Sequence, residues 1–298
     1  MPAPSAITLT PNSGVAPFSV QITGTNLFER PSYTKKETFL VNAPDALPIG
    51  WRGTNPSRVD GVIGKGILCS PTGSRYLQGY SWGSSGTTMN GANHLWPNTT
   101  GNMTSIFVSL WIKPTTVTGS GIFWMGSGGS CYVSSDPYNM TYYNQIGFHL
   151  QPDGTLGFAL VTYISGTRSK HVYTAPGAIV AGQWQHILGQ WTSVSPGVSV
   201  DPPVIWINGV KQTTNIMLNY NYTDISYAAN GTGPNGYTQI GYGPYGQPGY
   251  FPTTYSGGRF PSEYFNGIIC DVYTGQAFLS DAQILMYANR PKVELIKV

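Results

Sequence analysis

The sequence predicts an all-β fold, an antiparallel β-sandwich with one short C-terminal helix. Three observations predict it. Short runs alternate apolar with polar residues and are rich in β-branched and aromatic side chains, which is typical of half-buried strands. Turn formers separate these runs, with 38 Gly and 23 Pro among 298 residues. One segment near the end of the sequence, 280–290, begins with residues that typically start a helix. The length suits one large all-β domain or two small ones and suffices for a buried core.

Charge is scarce in this chain. Charged residues make up 9% of the sequence, whereas an ordinary soluble domain has roughly 25%. The formal net charge is +3, and the densest basic cluster is Lys35-Lys36. A nucleic-acid-binding surface needs a basic patch, so the composition predicts no nucleic-acid partner. The surface polarity must come from Asn, Gln, Ser, Thr and Tyr, or else partners cover much of the surface.

Neither a targeting segment nor a membrane span is expected from the sequence. The opening residues lack a basic region and an apolar region, so no secretory leader is expected. No apolar run approaches the ~20 residues of a membrane span, and no membrane partner is expected. Cys69, Cys131 and Cys270 are odd in number and fit no zinc spacing. They are predicted to be buried free thiols, with a disulfide as the alternative.

Residues 1–30 are predicted to form a separate arm or β-ribbon ahead of the main domain, 31–298. A strand near Ile7, a Pro-Asn-Ser-Gly turn and an alternating strand resemble the start of an immunoglobulin-like IPT/TIG or PKD-type domain. About thirty residues cannot close a sandwich, and an isolated ribbon is marginal in water. The arm should therefore pack on its own domain or reach a neighbouring subunit. Its predicted assembly contacts are Ile7, Leu9, Phe18, Val20 and Ile22.

The first half of the main domain is predicted to consist of strands. One pair, 146–150 and 156–160, flanks the turn Pro152-Asp153-Gly154 and reads as a hairpin. Pro114 ends a strong alternating run that starts at Ser105. The other predicted strands are 37–42, 64–70, 75–78, 121–125 and 170–173.

The centre of the prediction is a pair of tryptophan-bearing strands, Trp184–Trp191 and Val204–Val210. Asn208-Gly209 supplies the positive φ values of a type I′ turn. Trp184 and Trp206 are predicted core or sheet-face anchors, each costing roughly 3–5 kcal/mol if cut to Ala.

The predicted helix begins after Ser280. Ser280 and Gln283 have the spacing of a capping box. The helix is expected to cover Asp281–Ala288 and to be stopped by Pro291, because proline lacks an N–H donor.

Four of these segments, in order, resemble the concanavalin A-like lectin/glucanase superfamily, in particular its laminin-G-like and pentraxin-like jelly rolls. Gly64-Lys65-Gly66 with Arg75-Tyr76-Leu77 is similar to its first strands, and Ser105–Pro114 to its "WvkP" strand. The third matching segment is Gly182–Ile187 followed by Trp206–Gly209. The fourth is the closing segment, which starts with Phe265–Ile268 and includes Leu279, Ser280 and Ile284. One departure is clear: Cys270 stands where the family has an acidic residue, and Asp271 is displaced by one position.

The resemblance implies possible activities, which the residues do not support. Retaining glycoside hydrolysis needs two carboxyl groups about 5 Å apart. Glu occurs at 29, 37, 263 and 294, and none has an acidic residue two positions away. No nucleophile elbow is present, and His186 occupies a structural position of the family beside Trp184. We therefore expect a packed, hydrogen-bonded His186, no catalytic residue and no enzyme, with a glycoside hydrolase as a remote alternative.

Calcium sites are also implied by the pentraxin and laminin-G relatives. Such sites need clustered carboxylates or carbonyls, and no acidic pair is visible. Asp153 sits in a tight turn and is expected to bind backbone amides instead. The prediction is no metal and no cofactor, with calcium left as an open alternative.

The remaining candidate surface is the aromatic segment Tyr237–Tyr264. Aromatic rings with few charges suit sugar stacking and protein interfaces equally well, and they could also pack on the domain's own sheet. The residues predicted to contact a ligand or partner are Tyr242, Tyr245, Tyr250, Phe251, Tyr255 and Arg259.

Two functions follow as expectations. The first is a non-enzymatic virion structural protein, a bacteriophage or viral decoration or fibre-type protein at the virion surface, because jelly rolls recur in capsid proteins. Its partners would be copies of itself, a capsid or tail protein, and secondarily a cell-surface glycan bound weakly. The second is a free-standing, extracellular lectin module. The fold alone does not decide between them.

Overall fold

The computed structural model describes residues 8–11, 20–23, 35–36, 57–70, 76–78, 104–127, 144–163, 167–192, 202–219, 236–241 and 264–294. These residues form strands and one helix. The strands are β1 Thr8–Pro11, β2 Val20–Thr23, β3 Lys35–Lys36, β4 Ser57–Asp60, β5 Lys65–Cys69, β6 Tyr76–Gln78, β7 Ser105–Pro114, β8 Ser120–Ser127, β9 Asn144–Leu150, β10 Leu156–Tyr163, β11 Thr167–Tyr173, β12 Gln185–Thr192, β13 Val204–Ile207, β14 Val210–Lys211, β15 Asn215–Asn219, β16 Gly236–Ile240 and β17 Gly267–Gly275. The helix is α1, Asp281–Glu294.

The predicted antiparallel β-sandwich is confirmed. One sheet has eight strands, ordered β14-β13-β12-β7-β17-β5-β4, with β3 also paired to β17. The other has seven, ordered β15-β11-β10-β9-β8-β16-β6. A separate two-stranded sheet pairs β1 with β2 and places Leu9 opposite Ile22. The predicted strand 37–42 and Cys131 lie outside the described residues.

The main core lies between the two large sheets. Buried side chains from both sheets form one cluster, which includes Val108 and Ile187 from the eight-stranded sheet and Phe148 and Phe158 from the seven-stranded sheet. Gly189 of β12 allows a close contact between the two sheets. A Cβ built on Gly189 would lie 2.5 Å from Cδ2 of Phe158, so the Phe158 ring takes the space that a side chain would need.

At its central strands, the eight-stranded sheet is buried on its outer face as well. Helix α1 and Leu279, which lies two residues before it, cover this face. They form a second cluster that contains Phe107, Leu188, Trp206, Tyr273, Leu279 and Ile284. The central strands β7 and β12 are therefore buried on both sides. The alternation of residues along β7 and β12 assigns side chains to the two faces of the sheet, but both faces are buried at these strands.

Trp206 is buried as predicted for an anchor residue, whereas Trp184 is not fully buried. Trp206 is 7% exposed and packs in the outer cluster. Trp184 is only half-buried, because β12 begins one residue later at Gln185. The Gln185 amide accepts a hydrogen bond from the Val180 N–H at 2.8 Å and donates one to the Ala178 carbonyl at 3.0 Å. Trp191, 1% exposed, is the tryptophan of β12 in the core between the sheets.

The two predicted turns are confirmed. Asn208 and Gly209 have φ of 52° and 78°, which matches a type I′ turn. Asn208 also accepts a hydrogen bond from the His186 N–H at its Oδ1 (2.8 Å) and donates its own N–H to the His186 carbonyl (2.8 Å). In the other turn, Asp153 accepts a hydrogen bond from the Thr155 N–H at 2.9 Å, as expected.

The predicted helix start is confirmed and its predicted end is wrong. Gln283 Oε1 accepts hydrogen bonds from the Ser280 N–H (2.8 Å) and the Ser280 hydroxyl (3.0 Å). The helix continues through Pro291 to Glu294. A proline removes one donor and crowds the preceding turn, but a helix can bend over it. No helix among the described residues is long and apolar enough to span a membrane.

Candidate functional site

Most of the predicted contact residues fall outside the part of the chain that the structure describes. Tyr242, Tyr245, Tyr250, Phe251, Tyr255 and Arg259 of the aromatic segment do so, as do Ile7 and Phe18 of the arm. Leu9, Val20 and Ile22 lie on the strands of the β1–β2 ribbon. What the structure does describe is the point at which the aromatic segment leaves and rejoins the sandwich.

Within the aromatic segment, the stretch 242–263 is flanked on both sides by residues that lie together. We call this place the loop base and define it as Gly241, Tyr264 and Phe265. The Phe265 N–H donates to the Gly241 carbonyl at 2.9 Å, and the Gly241 N–H donates to the Ile122 carbonyl at 2.7 Å. Gly241 has φ 76°, and a Cβ there would lie 2.3 Å from Cys69 Sγ. Glycine is required at this position both by backbone conformation and by space.

Phe265, at which the chain returns to the sandwich, anchors the loop base in the core. Phe265 is fully buried between the sheets. The next residue, Asn266, accepts a hydrogen bond from the Thr115 N–H at 2.8 Å, and its side-chain amide donates to the Thr116 hydroxyl at 2.9 Å. Residues 242–263 thus leave and return at neighbouring points on a packed scaffold.

Gly121 connects the loop base to the seven-stranded sheet. It forms an isolated parallel bridge with Tyr264 and pairs with His149 of β9 in the sheet. The loop base therefore lies one strand away from His149.

Two buried histidines lie on the outer face of the seven-stranded sheet. His149 of β9 and His171 of β11 are 1% and 0% exposed, and their ring centroids are 4.8 Å apart. The strand between them contributes Gly157, where a Cβ would lie 2.0 Å from Cε1 of His149. The half-buried Tyr173 packs on both rings, at 5.3 and 4.3 Å between centroids, and its hydroxyl lies 3.3 Å from His171 Nδ1.

Burial lowers the pKa of His149 to about 3. It also lowers the pKa of His171 well below the usual 6.5, and the neighbouring His149 adds to that shift. Both rings are therefore neutral near pH 7. Sequence analysis did not single out this pair. The sequence pattern that could have indicated the pair is a small residue opposite each histidine on the neighbouring strand. Gly157 lies opposite His149, and Ala159 lies opposite His171.

His186 is a packed histidine, as predicted. It is 1% exposed, its Nε2 lies 2.8 Å from the Ser109 hydroxyl, and its ring packs on Trp111 at 5.4 Å. Burial lowers its pKa to about 3. Its Nδ1 has no hydrogen-bond partner among the described residues, so the carboxylate of a Ser–His–Asp triad is missing from that part of the chain.

Asp271, the displaced acidic residue, lies in a β-bulge. The register of β17 against β7 shifts between Cys270 and Tyr273, and Asp271 adopts φ 53°. Its buried carboxylate accepts hydrogen bonds from Arg290 of α1 at 3.2 and 3.3 Å, and the guanidinium lies 5.2 Å from the centroid of the Tyr273 ring. The ion pair between Asp271 and Arg290 therefore links α1 to the eight-stranded sheet.

The described cysteines are free and buried, as predicted for Cys69 and Cys270. Burial raises the pKa of the Cys69 thiol to about 12, so this thiol is inert near neutral pH. Within the described ranges, no group of three or more His, Cys, Asp or Glu side chains could hold a metal ion. The presence of calcium elsewhere in the chain stays an open prediction.

Comparison with known proteins gives similarities of fold only. No protein-family model matches the sequence, and no curated protein matches it. Among solved structures, the heptameric SAP-like pentraxin from Limulus polyphemus is 19% identical with a TM-score of 0.39, covering 63% of this chain and 71% of that one. Domain 4 of AbnA, a GH43 extracellular arabinanase from Geobacillus stearothermophilus solved with arabinotriose, is 18% identical with a TM-score of 0.40, covering 79% and 82%.

The binding domain of botulinum neurotoxin serotype G is 9% identical with a TM-score of 0.45, and the match covers 79% of this chain and 45% of that one. With TM-scores below 0.5, these likenesses concern the β-sandwich class and say nothing of what this chain binds. Membership of the concanavalin A-like superfamily stays a prediction from the sequence.

Proposed function

We propose that this chain is a non-enzymatic structural protein of a virion surface, which assembles through residues 242–263 of the aromatic segment and through the N-terminal ribbon. The loop base carries the proposal. It joins both ends of an aromatic-rich stretch of sequence to the buried Phe265 and to Gly241. This supports a recognition role for the stretch, because binding residues are often carried on segments held by a rigid scaffold.

The composition of the segment supports a protein partner. Residues 242–263 contain five of the predicted aromatic contacts but only two charged residues, Arg259 and Glu263. Interface cores are enriched in aromatic residues and depleted of charge. Partners of this kind are further copies of the chain or a capsid or tail protein. The low overall charge, 9% of residues, fits a surface that assembly covers.

The burial of three described histidines and of Asp271 supports a non-enzymatic role. His149, His171 and His186 are each at most 1% exposed, and Asp271 is 2% exposed and bound to Arg290. A general acid or base must reach its substrate. These groups pack against their neighbours instead.

Copurification is the first test. The chain is expected to sediment with an assembled particle or as a homo-oligomer, and Tyr245→Ala with Tyr250→Ala should reduce that fraction. Val210→Ser is the matched control, because Val210 is 63% exposed and lies outside the segment. A purely monomeric wild-type protein that joins no particle would contradict the proposal.

A lectin module is the second candidate, because tyrosine faces among few charges also suit sugar stacking. A glycan array at high protein concentration separates the two, since single lectin sites often bind near millimolar, about −4 kcal/mol. Glycan binding that Tyr245→Ala and Tyr250→Ala abolish, without any assembly, would favour the lectin. Weak glycan binding together with assembly would fit adhesion as a secondary role of the virion protein.

A further inference from the structure

Strand β4, Ser57–Asp60, forms one edge of the eight-stranded sheet in the part of the chain that the structure describes. The edge strand of a sheet is a template on which another chain can pair. The side chains of β4 are exposed or half-buried, and that of Asp60 is 86% exposed. This edge is therefore within reach of a second molecule.

The hydrogen bonds between β4 and β5 show which backbone groups of β4 point outward. The Gly61 N–H donates to the Gly64 carbonyl at 2.9 Å, and the register continues with Val59 opposite Gly66. In an antiparallel pair, residues that exchange hydrogen bonds alternate with residues that do not. Val59 is therefore bonded to β5, whereas the N–H and C=O groups of Asp60 point away from β5.

Opposite charges lie two residues apart on β4. Arg58 is opposite Ile67 and Asp60 is opposite Lys65, and residues two apart on a strand lie on the same face of the sheet. Asp60 forms an exposed ion pair with Lys65. Arg58 also has an interaction within its own chain, but a guanidinium has five N–H donors and accommodates a further acceptor. Both side chains can thus keep these contacts and form another ion pair.

The order of the charges makes the strand complementary to itself. Charges of one sign on an edge strand block self-pairing, because two copies then repel each other. The sequence Arg58-Val59-Asp60 has the contrary effect. When a second copy of β4 lies antiparallel to the first with the two Val59 residues opposite each other, each Arg58 lies opposite an Asp60. Opposite charges in directly opposed positions stabilise a pair of strands.

We propose that β4 is a self-association edge: two copies of the chain pair antiparallel through Ser57–Asp60, with Arg58 of each copy opposite Asp60 of the other. The pairing has the twofold symmetry of an isologous dimer, and it joins two eight-stranded sheets into one continuous sheet. Because β4 lies outside the aromatic segment and the N-terminal ribbon, this contact goes beyond the proposed function and does not depend on it.

Charge reversal tests the contact by sedimentation velocity. Protein concentrations up to about 1 mM are needed, because a strand of four residues gives a small interface. Arg58→Asp places carboxylates opposite each other, and Asp60→Arg does the same with guanidinium groups. Each substitution should weaken dimerisation about tenfold or more. Lys211→Glu is the matched control, because Lys211 is an exposed charge on β14 at the opposite edge of the same sheet. It should leave dimerisation unchanged.

Mixing the two variants gives the sharper test. In the mixture, the two carboxylates of Arg58→Asp face the two guanidinium groups of Asp60→Arg, so that both opposed positions again carry opposite charges. The mixture should dimerise about as tightly as the wild type, whereas each variant alone stays mostly monomeric at the same concentration. A substitution that only disturbed the fold of one chain would not be rescued by the other.

The proposal is overturned if the mixture does not dimerise, or if either variant alone dimerises as tightly as the wild type. Should a variant not fold, amide hydrogen exchange on the wild-type chain decides. Exchange of the Asp60 N–H should slow as the protein concentration is raised to about 1 mM, because the second copy accepts a hydrogen bond from it. The Val59 N–H is bonded to β5 and should show no such dependence. Exchange at Asp60 that is independent of concentration would overturn the pairing.

Discussion

The ring of Phe158 fills the space above Gly189, so that the seven-stranded and eight-stranded sheets touch where one of them has no side chain. The distance from a Cβ built on Gly189 to the Phe158 ring would be 2.5 Å. Phe158 also packs on Phe148, with 4.7 Å between ring centroids and an interplanar angle of 40°. At this point the two sheets are in contact through a glycine of one and a phenylalanine of the other.

Gly189→Ala should lower the free energy of unfolding by about 1–3 kcal/mol, because overpacking a dense core forces side chains or backbone to shift. Urea denaturation measures the change. Adding Phe158→Leu to Gly189→Ala should cost less than the sum of the two single substitutions, since the smaller side chain relieves the clash. Strict additivity would contradict the contact.

Arg290→Ala should cost roughly 3 kcal/mol, because it removes a charged partner from a buried carboxylate. The side chain of Asp271 is 2% exposed and that of Arg290 is 21% exposed. Arg290→Lys is the matched control and should cost less, since it keeps the charge but loses the planar group that lies over Tyr273. Thermal denaturation of the two variants at one pH provides the comparison, and equal losses would mean that charge alone matters.

Asn208→Ala should cost about 1–2 kcal/mol. The substitution removes the acceptor of the His186 N–H and places an alanine at φ 52°, where a Cβ is disfavoured. Asn208→Gly separates the two contributions, because glycine accepts the positive φ but lacks the side-chain acceptor. Its loss should be the smaller one by chemical denaturation. A larger loss for glycine than for alanine would contradict this account.

Acid should destabilise the eight-stranded sheet through His186. Its folded pKa of about 3 lies below the usual 6.5, so its stabilising contribution is complete above pH 6.5 and is lost as the pH falls toward 3. Between pH 7.5 and 5 this group should account for about 2 kcal/mol of the loss in unfolding free energy. His186→Gln should make the pH dependence shallower by that amount, and an unchanged dependence would be inconsistent with a buried neutral ring.

Deletion of residues 1–28 should leave the fold intact and reduce assembly. The described strands β1 and β2 pair with each other in a sheet of their own. Circular dichroism should be preserved while size-exclusion chromatography shows a smaller species. An unchanged oligomer would exclude the ribbon as an assembly contact.

Local chemistry explains which parts of the fold the sequence predicts correctly. Asn208-Gly209 and Asp153-Gly154 specify their turns through φ and through hydrogen bonds to nearby backbone groups. The run from Ser105 to Pro114 specifies β7 with its bounds, because alternation and a terminal proline act within the strand. Ser280 and Gln283 specify the helix start in the same way.

The remaining features depend on residues far apart in the sequence. The edge-to-face packing of the His149 and His171 rings depends on β10 lying between them and on a glycine at position 157. The pairing of Asp271 with Arg290 requires a bulge in β17 and a helix that continues past Pro291.

The sequence by itself determined the all-β class, the turns, the order of the main strands and the aromatic character of segment 242–263, since each is written in neighbouring residues. Only the tertiary structure decided that both faces of β7 and β12 are interior, that Gly241 and Phe265 join the ends of the aromatic segment, and that two histidines share one slot. These are contacts between strands. Their energy comes from burial and close packing across the sheets, which no local pattern contains.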